Sequence, residues 1–227
     1  MAKNKPVYAF EEADSKKRML LGGKGAGLSE MTRLKLPVPP GFTITTEICN
    51  KYYDNNGKLP KDVMPAVMKN IAKMEKKTGK KWNSTKNPLL VSVRSGAAIS
   101  MPGMMDTILN LGLNEKTVEG FAEQTKNPRF SWDSYRRFIQ LFGKVVFGVN
   151  DEKFDHVLDD AKEKQGVTDD SKLSVESLKS IVSKYKKICE EHTKRKFPDT
   201  PNEQLVLSIE AVFKSWMGER AIVYREK

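Results

Sequence analysis

The segment LGGKGAGL, residues 21–28, decides how the first part of this chain is organised. Its glycines predict a turn over residues 22–27, after which Leu28, Met31 and Leu34 follow at the spacing of one helix face. Glycines let backbone amides approach a phosphate closely, and Lys24 and the N-terminus of the following helix add positive charge. The segment matches neither the P-loop nor the dinucleotide-binding fingerprint. The residues alone leave two interpretations equally open: an anion-binding turn, or a plain glycine turn with a solvent-exposed lysine.

Outward from this turn, the chain up to about residue 111 mixes strands and helices. Strands are predicted at residues 7–10, 41–46 and 88–94, and helices at residues 46–54 and over the lysine-rich stretch around residues 63–74. The helix after the glycine turn is predicted to end at the prolines Pro37, Pro39 and Pro40. These patterns predict a mixed first segment, residues 1–111.

From about Asn114 the pattern becomes helical. A helix capped by Asn114 is predicted to run through Phe121, and further helices are predicted at about residues 132–146, 151–165, 174–192 and 205–216. Asp170 and Ser174 are predicted N-caps. The stretch RAIVYR, residues 220–225, predicts a strand. The chain is thus predicted to hold a helical segment, residues 112–197, and a last segment, residues 198–227, that returns to mixed structure.

The charge of the chain is strongly basic, with 40 Lys and Arg against 29 Asp and Glu and a formal net charge of +11. The densest run of lysines, residues 51–81, interleaves them with apolar residues at helical spacing, which indicates the polar face of an amphipathic helix. The sequence carries no nucleic-acid-binding signature that would favour a basic DNA or RNA patch instead. We therefore expect no nucleic-acid partner.

Simple features of the 227 residues exclude several other classes of protein. No run approaches the roughly 18 apolar residues of a membrane-spanning helix. The two cysteines, Cys49 and Cys189, are far apart, which argues against a disulfide framework or a zinc site. The first residues, MAKNKPVYAFEEAD, resemble neither a secretory signal nor a transit peptide. We therefore expect no membrane partner and a cytoplasmic location.

Two further motifs carry candidate functional residues. The strand ending in VSVRSG, residues 91–96, is predicted to be buried and apolar, so Arg94 at its end needs an anionic partner. That partner is either a structural carboxylate or a polyphosphate bound through bidentate contacts. The segment SMPGMMDT, residues 100–107, is rich in methionine around Pro-Gly. Its composition alone favours an apolar turn whose methionines fill gaps in a core.

Taken together, these motifs are far more specific than any one of them. GGKGAGLSEM, LPVPPGFTITTE, SVRSGA, SMPGMMDTILNLGLN, NPRFSWDSYRRF and RAIVYR follow in an order that resembles the pyruvate, phosphate dikinase family over essentially the whole chain. SMPGMMDT discriminates best, because the related phosphoenolpyruvate synthases differ there. The resemblance implies an α+β fold with an ATP-grasp-like first lobe, residues 1–111, and a helical insert subdomain, residues 112–197. Residues 198–227 would return to the first lobe.

The resemblance also implies a function. The family interconverts ATP, phosphate and pyruvate with AMP, diphosphate and phosphoenolpyruvate. Lys24 and Arg94 would be the catalytic cations, because positive groups neutralise the charge that develops during phosphoryl transfer. The residues expected to bind ATP are Gly22, Gly23, Lys24, Gly25, Arg94, Asp106 and Thr107. Arg136 and Arg137 are weaker candidates, since an arginine pair on a helix surface is usually solvated or ion-paired.

Other parts of such an enzyme are expected outside this sequence. ATP would be used with Mg²⁺, whose acidic ligands, like the second ATP-grasp lobe and the phosphohistidine domain, would come from the remaining domains of the same enzyme. His156 and His192 lie in charged helical stretches and are expected either at the surface or packed between helices. We therefore expect an N-terminal ATP-binding fragment that is inactive alone. The alternatives are a free-standing nucleotide-binding or interaction module derived from the dikinase and, supported only by net charge, a basic nucleic-acid-binding domain.

Overall fold

A computed structural model describes residues 4–97 and 106–226, and the chain divides into two compact units. Unit 1 comprises residues 1–80, 94–106 and 209–227, and unit 2 comprises residues 81–93 and 107–208. The strands are β1 (Val7–Ala9), β2 (Phe42–Ile44), β3 (Val91–Arg94) and β4 (Thr107–Leu111). The helices are α1 (Arg18–Arg33), α2 (Thr46–Asp54), α3 (Val63–Thr78), α4 (Thr117–Thr125), α5 (Pro128–Phe147), α6 (Glu152–Gln165), α7 (Val175–Thr193), α8 (Pro201–Ser215) and α9 (Glu219–Glu226). The α+β class is confirmed, while the boundaries at residues 111 and 197 stay predictions.

Unit 1 is built around an antiparallel pair of strands. β1 pairs with β2 so that Val7 lies opposite Ile44 and Ala9 opposite Phe42. The inward residues of β1, Val7 and Ala9, are buried, and α3 packs against this strand. α1 packs against β2 and α2. The strand and helix predictions on both sides of the glycine segment are confirmed, and they place that segment against a small sheet.

Helix α5 is the centre of unit 2, where it packs against α4, α7 and β4. The side chain of Asn127 caps the helix by accepting a hydrogen bond from the backbone N–H of Phe130. Pro128 suits the first turn, and Gly148 ends the helix in the left-handed conformation. The apolar face is fully buried, as its spacing predicts: Tyr135, Phe138, Ile139 and Phe142. β3 pairs with β4 in a second two-stranded sheet.

Arg136 on α5 is buried, which corrects the interpretation of Arg136 and Arg137 as a surface pair. The Arg136 guanidinium donates to Oδ1 of Asp133, with Nη2 at 2.6 Å and Nε at 3.1 Å, and Nη2 lies 3.4 Å from Oδ2 of Asp170. Arg137 is exposed and donates to the second oxygen of Asp133 at 3.1 Å. Because Asp133 precedes Arg136 by one helical turn, the buried cation finds its partner on its own helix. Both arginines are thus neutralised within unit 2.

At the helix ends of unit 2, one predicted cap is confirmed and two differ from the prediction. The Ser174 hydroxyl accepts from the backbone N–H of Ser177 at 3.1 Å and caps α7. The N-cap position of α4 is Lys116 rather than the predicted Asn114, although the side-chain oxygen of Asn114 accepts from the N–H of Thr117, the first residue of α4, at 2.8 Å. Asp170 instead lies inside a short 3₁₀ turn whose cap is Asp169. Adjacent aspartates are equally good caps by composition, so only the backbone geometry separates them.

The predicted strand at residues 220–225 is wrong, because these residues belong to helix α9. A short turn joins α8 to α9, and the N–H of Ile222 donates to the carbonyl of Gly218 at 3.0 Å as the helix begins. Ala221 is fully buried. Six residues of mixed apolar character are too few for periodicity to separate strand from helix, so the tertiary setting decides. Within the described part of the chain, no helix combines the length and apolar character needed to cross a bilayer.

Candidate functional site

Helix α1 kinks at Gly22, and the predicted glycine turn over residues 22–27 is confined to this single position. Gly22 has φ 71° and ψ 165°, whereas the other glycines of the segment continue the helix. A Cβ atom placed on Gly22 would lie 1.2 Å from the carbonyl oxygen of Gly96. Glycine is therefore required at this kink for two reasons: the positive φ is strained for other residues, and the backbone of Gly96 leaves no room for a side chain.

A hydrogen bond next to this contact joins the two motifs of unit 1 that carry Lys24 and Arg94. The backbone N–H of Gly23 donates to the carbonyl oxygen of Ala97 at 2.8 Å. Residues 95–97 follow directly after Arg94, at the end of β3. The kink that precedes Lys24 is thus bonded to the loop that follows Arg94. Two motifs separated by about 70 positions in the sequence meet at one place in the fold.

Lys24 and Arg94 are both exposed. The prediction of a buried strand before Arg94 is wrong, because the residues of β3 alternate between half-buried and exposed. Within residues 4–97 and 106–226, no carboxylate lies within ion-pair distance of either side chain. The structural alternative for Arg94, a carboxylate partner inside the fold, therefore finds no support in the described residues.

Gly25 lets α1 pack closely against β2. A Cβ atom at Gly25 would lie 2.6 Å from Oγ1 of Thr43 on β2. The Ser29 hydroxyl donates to the carbonyl of Gly25 at 2.8 Å on the same buried face of the helix. On α2, the hydroxyl of Thr46 donates to the carbonyl of Met19 at 2.7 Å. The sequence predictions missed the two threonines as site-supporting residues, although both lie in the GFTITTE motif.

The one acidic residue of α1 is neutralised at the far end of the helix. Arg33 donates two hydrogen bonds to the carboxylate of Glu30, and the Ser15 hydroxyl donates a third. The bond from Arg33 is the main cause that lowers the pKa of Glu30 to about 2. The carboxylate of Glu30 is therefore paired at its own end of the helix, away from the kink.

The two remaining predicted ATP ligands lie at the start of β4. Asp106 directly precedes this strand and Thr107 is its first residue, and both are half-buried. Asp106 belongs to unit 1 with the glycine segment, whereas Thr107 belongs to unit 2. Most of the SMPGMMDT motif, residues 100–105, lies outside the described residues. The predicted roles of Asp106 and Thr107 stay predictions.

Anionic ligands suit this site better than a metal ion. Among the described residues, no group of three or more His, Cys, Asp or Glu side chains is arranged to hold a metal. His156 and His192 are exposed, as predicted. The predicted site residues Lys24 and Arg94 are cations, which suit a phosphate rather than a metal ion.

The surplus positive charge is concentrated in the unit that carries these cations. Unit 1 holds 21 of the Lys and Arg residues against 12 Asp and Glu, and unit 2 holds 19 against 17. Charge of one sign on a surface raises the local concentration of oppositely charged ligands. The balance of unit 1 therefore favours an anionic ligand.

Comparison with known proteins gives one consistent result. The family described as pyruvate phosphate dikinase, AMP/ATP-binding domain, matches residues 18–59 and 55–227. Pyruvate, phosphate dikinase of Entamoeba histolytica is 53% identical over 221 residues, which is 97% of this chain and 25% of that protein. The same-named protein of Clostridium symbiosum is 50% identical over 220 residues, 96% of this chain and 25% of that protein. Pyruvate, phosphate dikinase 1, chloroplastic, of Arabidopsis thaliana is 46% identical over 225 residues, 97% of this chain and 23% of that protein.

These similarities cover nearly all of this chain but a limited part of each relative. The chain spans about a quarter of the length of the curated relatives that it matches. The glycine segment and Arg94 both lie inside the residues that the family match covers.

Proposed function

Because this chain belongs to the pyruvate phosphate dikinase AMP/ATP-binding domain family, we propose that it supplies cationic contacts to ATP phosphates in a pyruvate, phosphate dikinase. Such an enzyme converts ATP, phosphate and pyruvate into AMP, diphosphate and phosphoenolpyruvate. The observation that carries the proposal is the hydrogen bond from Gly23 to Ala97, 2.8 Å long, which sets the kink before Lys24 beside the loop after Arg94.

Each group has a proposed task at the phosphates. Gly22 and Gly25 shape the segment, because the first lies against Gly96 and the second against Thr43, and the helix N-terminus after the kink adds a partial positive charge for the phosphates. Gly23 holds the segment to Ala97 through its backbone N–H. Lys24 supplies a mobile point charge, and Arg94 supplies a planar fork that matches two phosphate oxygens. Together they stabilise the negative charge that grows on the phosphates in the transition state.

Mg²⁺ belongs to the proposal as a companion of ATP rather than as a ligand of these residues. The ion would neutralise phosphate charge when bound. The described part of the chain presents amides and cations at the kink and no cluster of metal-binding side chains, so it does not fit a resident magnesium site. We propose that the acidic ligands and the second ATP-grasp lobe come from the part of the relatives that this chain does not match.

A reducing compartment such as the cytoplasm is proposed for the protein. Both cysteines are free thiols: Cys49 is half-buried and Cys189 is buried. Disulfides persist mainly in oxidising compartments, so two unpaired thiols fit a reducing one.

The experiment that tests the phosphate role is an amide NMR titration of the 227-residue chain with ATP and with inorganic tripolyphosphate. The largest shifts are expected at residues 23–25 and 94–97. Lys24→Ala and Arg94→Ala should each weaken binding by roughly 10-fold, the loss typical of one charge-assisted contact. Lys69→Ala, an equal loss of charge at an exposed position of α3, is the matched control. A titration without shifts, or an equal loss in Lys69→Ala, would contradict the proposal.

A further inference from the structure

The kink in α1 breaks one helical hydrogen bond, and both its donor and its acceptor find other partners. In a continuous helix the carbonyl of Met19 accepts from the N–H of Gly23, four residues later. The conformation of Gly22, with ψ 165°, makes that bond impossible. The Gly23 N–H donates instead to Ala97 at 2.8 Å, and the Met19 carbonyl accepts instead from the Thr46 hydroxyl at 2.7 Å.

Both replacement bonds come from segments that carry functional motifs. Ala97 follows Arg94 by three residues, and Thr46 is the first residue of α2, at the end of GFTITTE. The Thr46 hydroxyl also lies 3.3 Å from the carbonyl of Leu20, so it contacts two successive carbonyls of α1 just before the kink. Unpaired carbonyls of this kind destabilise a bent helix, and their pairing holds the bend in place.

The Thr46 hydroxyl has no role in starting its own helix. The N-cap of α2 is Thr45, and no side-chain bond is made at that cap. A threonine hydroxyl at a helix start commonly bonds to its own backbone. Here the Thr46 hydroxyl donates to a carbonyl of α1 instead, so it stabilises the kinked segment rather than its own helix.

We propose that Thr46 is a positioning residue for the phosphate site. The Thr46 hydroxyl occupies the Met19 carbonyl, which would otherwise accept the regular helical bond from the Gly23 N–H. The Gly23 N–H therefore stays bonded to Ala97, and Lys24 stays beside the loop that follows Arg94. Thr46 does not itself touch the phosphates. The inference rests on the proposed function, because positioning matters only if phosphates bind at the kink.

Thr46→Val tests the inference, since it removes the hydroxyl and keeps the shape of the side chain. Tripolyphosphate binding should weaken roughly 10-fold, as for loss of one phosphate contact, and the NMR signal of the Gly23 amide proton should move as its bond to Ala97 loosens. Thr46→Ser keeps the hydroxyl and should restore both readouts. Thr32→Val is the matched control, because the Thr32 hydroxyl donates to an α1 carbonyl, that of Leu28, at 2.8 Å but away from the kink.

Each outcome has one meaning. If Thr46→Val binds tripolyphosphate like the parent chain, or if Thr32→Val loses as much affinity, the inference is wrong while the proposed function stands. If the parent chain itself shows no binding, the proposed function fails and takes the inference with it. Should Thr46→Val melt below the assay temperature, Thr46→Ser and Thr46→Ala are compared in the cold, and equal affinities would overturn the inference.

Discussion

Replacing Arg136 by methionine removes the buried cation of unit 2 and leaves its carboxylate in place. Arg136 is 3% exposed and Asp133 is 8% exposed, and two nitrogens of the guanidinium bond to one oxygen of that carboxylate. Methionine is long and flexible enough to fill the vacated space. The main effect of Arg136→Met is therefore the loss of the buried partner of the Asp133 carboxylate, which keeps only its contact with the exposed Arg137.

Breaking a buried ion pair from one side costs about 3–5 kcal/mol of folding free energy. Arg137 still neutralises the second oxygen of Asp133, at 3.1 Å, so the lower end of that range applies. We expect a loss of about 3 kcal/mol, measured by urea denaturation followed by far-UV circular dichroism.

Two further variants separate the buried charge from general damage to the helix. Arg137→Met removes an arginine whose side chain is 62% exposed, and it should change stability by less than about 1 kcal/mol. Adding Asp133→Asn to Arg136→Met removes the stranded charge and should recover part of the loss. A loss below about 1 kcal/mol in Arg136→Met, or an equal loss in Arg137→Met, would refute the reasoning.

Three other predictions follow from the packing and the titrating groups. Gly143→Ala places a Cβ atom 2.6 Å from the ring of Phe154, so it should lower the free energy of unfolding, measured by urea denaturation, by about 1–3 kcal/mol despite the better helix propensity of alanine; a higher free energy of unfolding would contradict this. The Lys144 ammonium lowers the pKa of Asp151, so their contact stabilises the fold above pH about 4 and is lost as the pH falls. Lys144→Met should therefore destabilise the chain by up to about 0.5 kcal/mol near pH 7 and by nothing near pH 2, and an equal effect at both pH values would count against it. Burial raises the pKa of the Cys189 thiol to about 12. Alkylation of Cys189 near pH 8 should therefore be roughly 1,000-fold slower in the folded chain than in the urea-unfolded chain. Comparable rates in the two states would show that the thiol is accessible.

The parts of the fold that the sequence predicts well are those with a strong local pattern. The apolar face of α5 recurs over the whole helix, and Asn127, Pro128 and Gly148 add capping signals at both ends, although the helix extends beyond the predicted 132–146. The helix predicted at residues 46–54 has the bounds of α2. Long periodic segments leave little choice of structure, because a wrong secondary structure would expose their apolar face.

The features that sequence reasoning missed depend on contacts between distant segments. Only Gly22 among the clustered glycines adopts the turn geometry, because the backbone of Gly96 approaches it. The bond from Thr46 to Met19 joins residues 27 positions apart, and no local pattern marks it. Arg136 looks like a surface cation in the sequence, and its burial is set by α5 packing against α7. The candidate site could thus be located from its motifs, but its supporting residues could not.

The most direct test of the proposed ATP role uses a chimera in which residues 1–227 replace the matching quarter of the Clostridium symbiosum relative. The measured quantity is the ratio of ATP-dependent phosphoenolpyruvate formation to isotope exchange between pyruvate and phosphoenolpyruvate. Lys24→Ala and Arg94→Ala should each lower ATP-dependent formation by about 100-fold or more and leave the exchange within about twofold, because only the first reaction uses the ATP phosphates. Equal losses in both reactions, or full ATP-dependent activity in either variant, would contradict the assignment of these two cations to ATP.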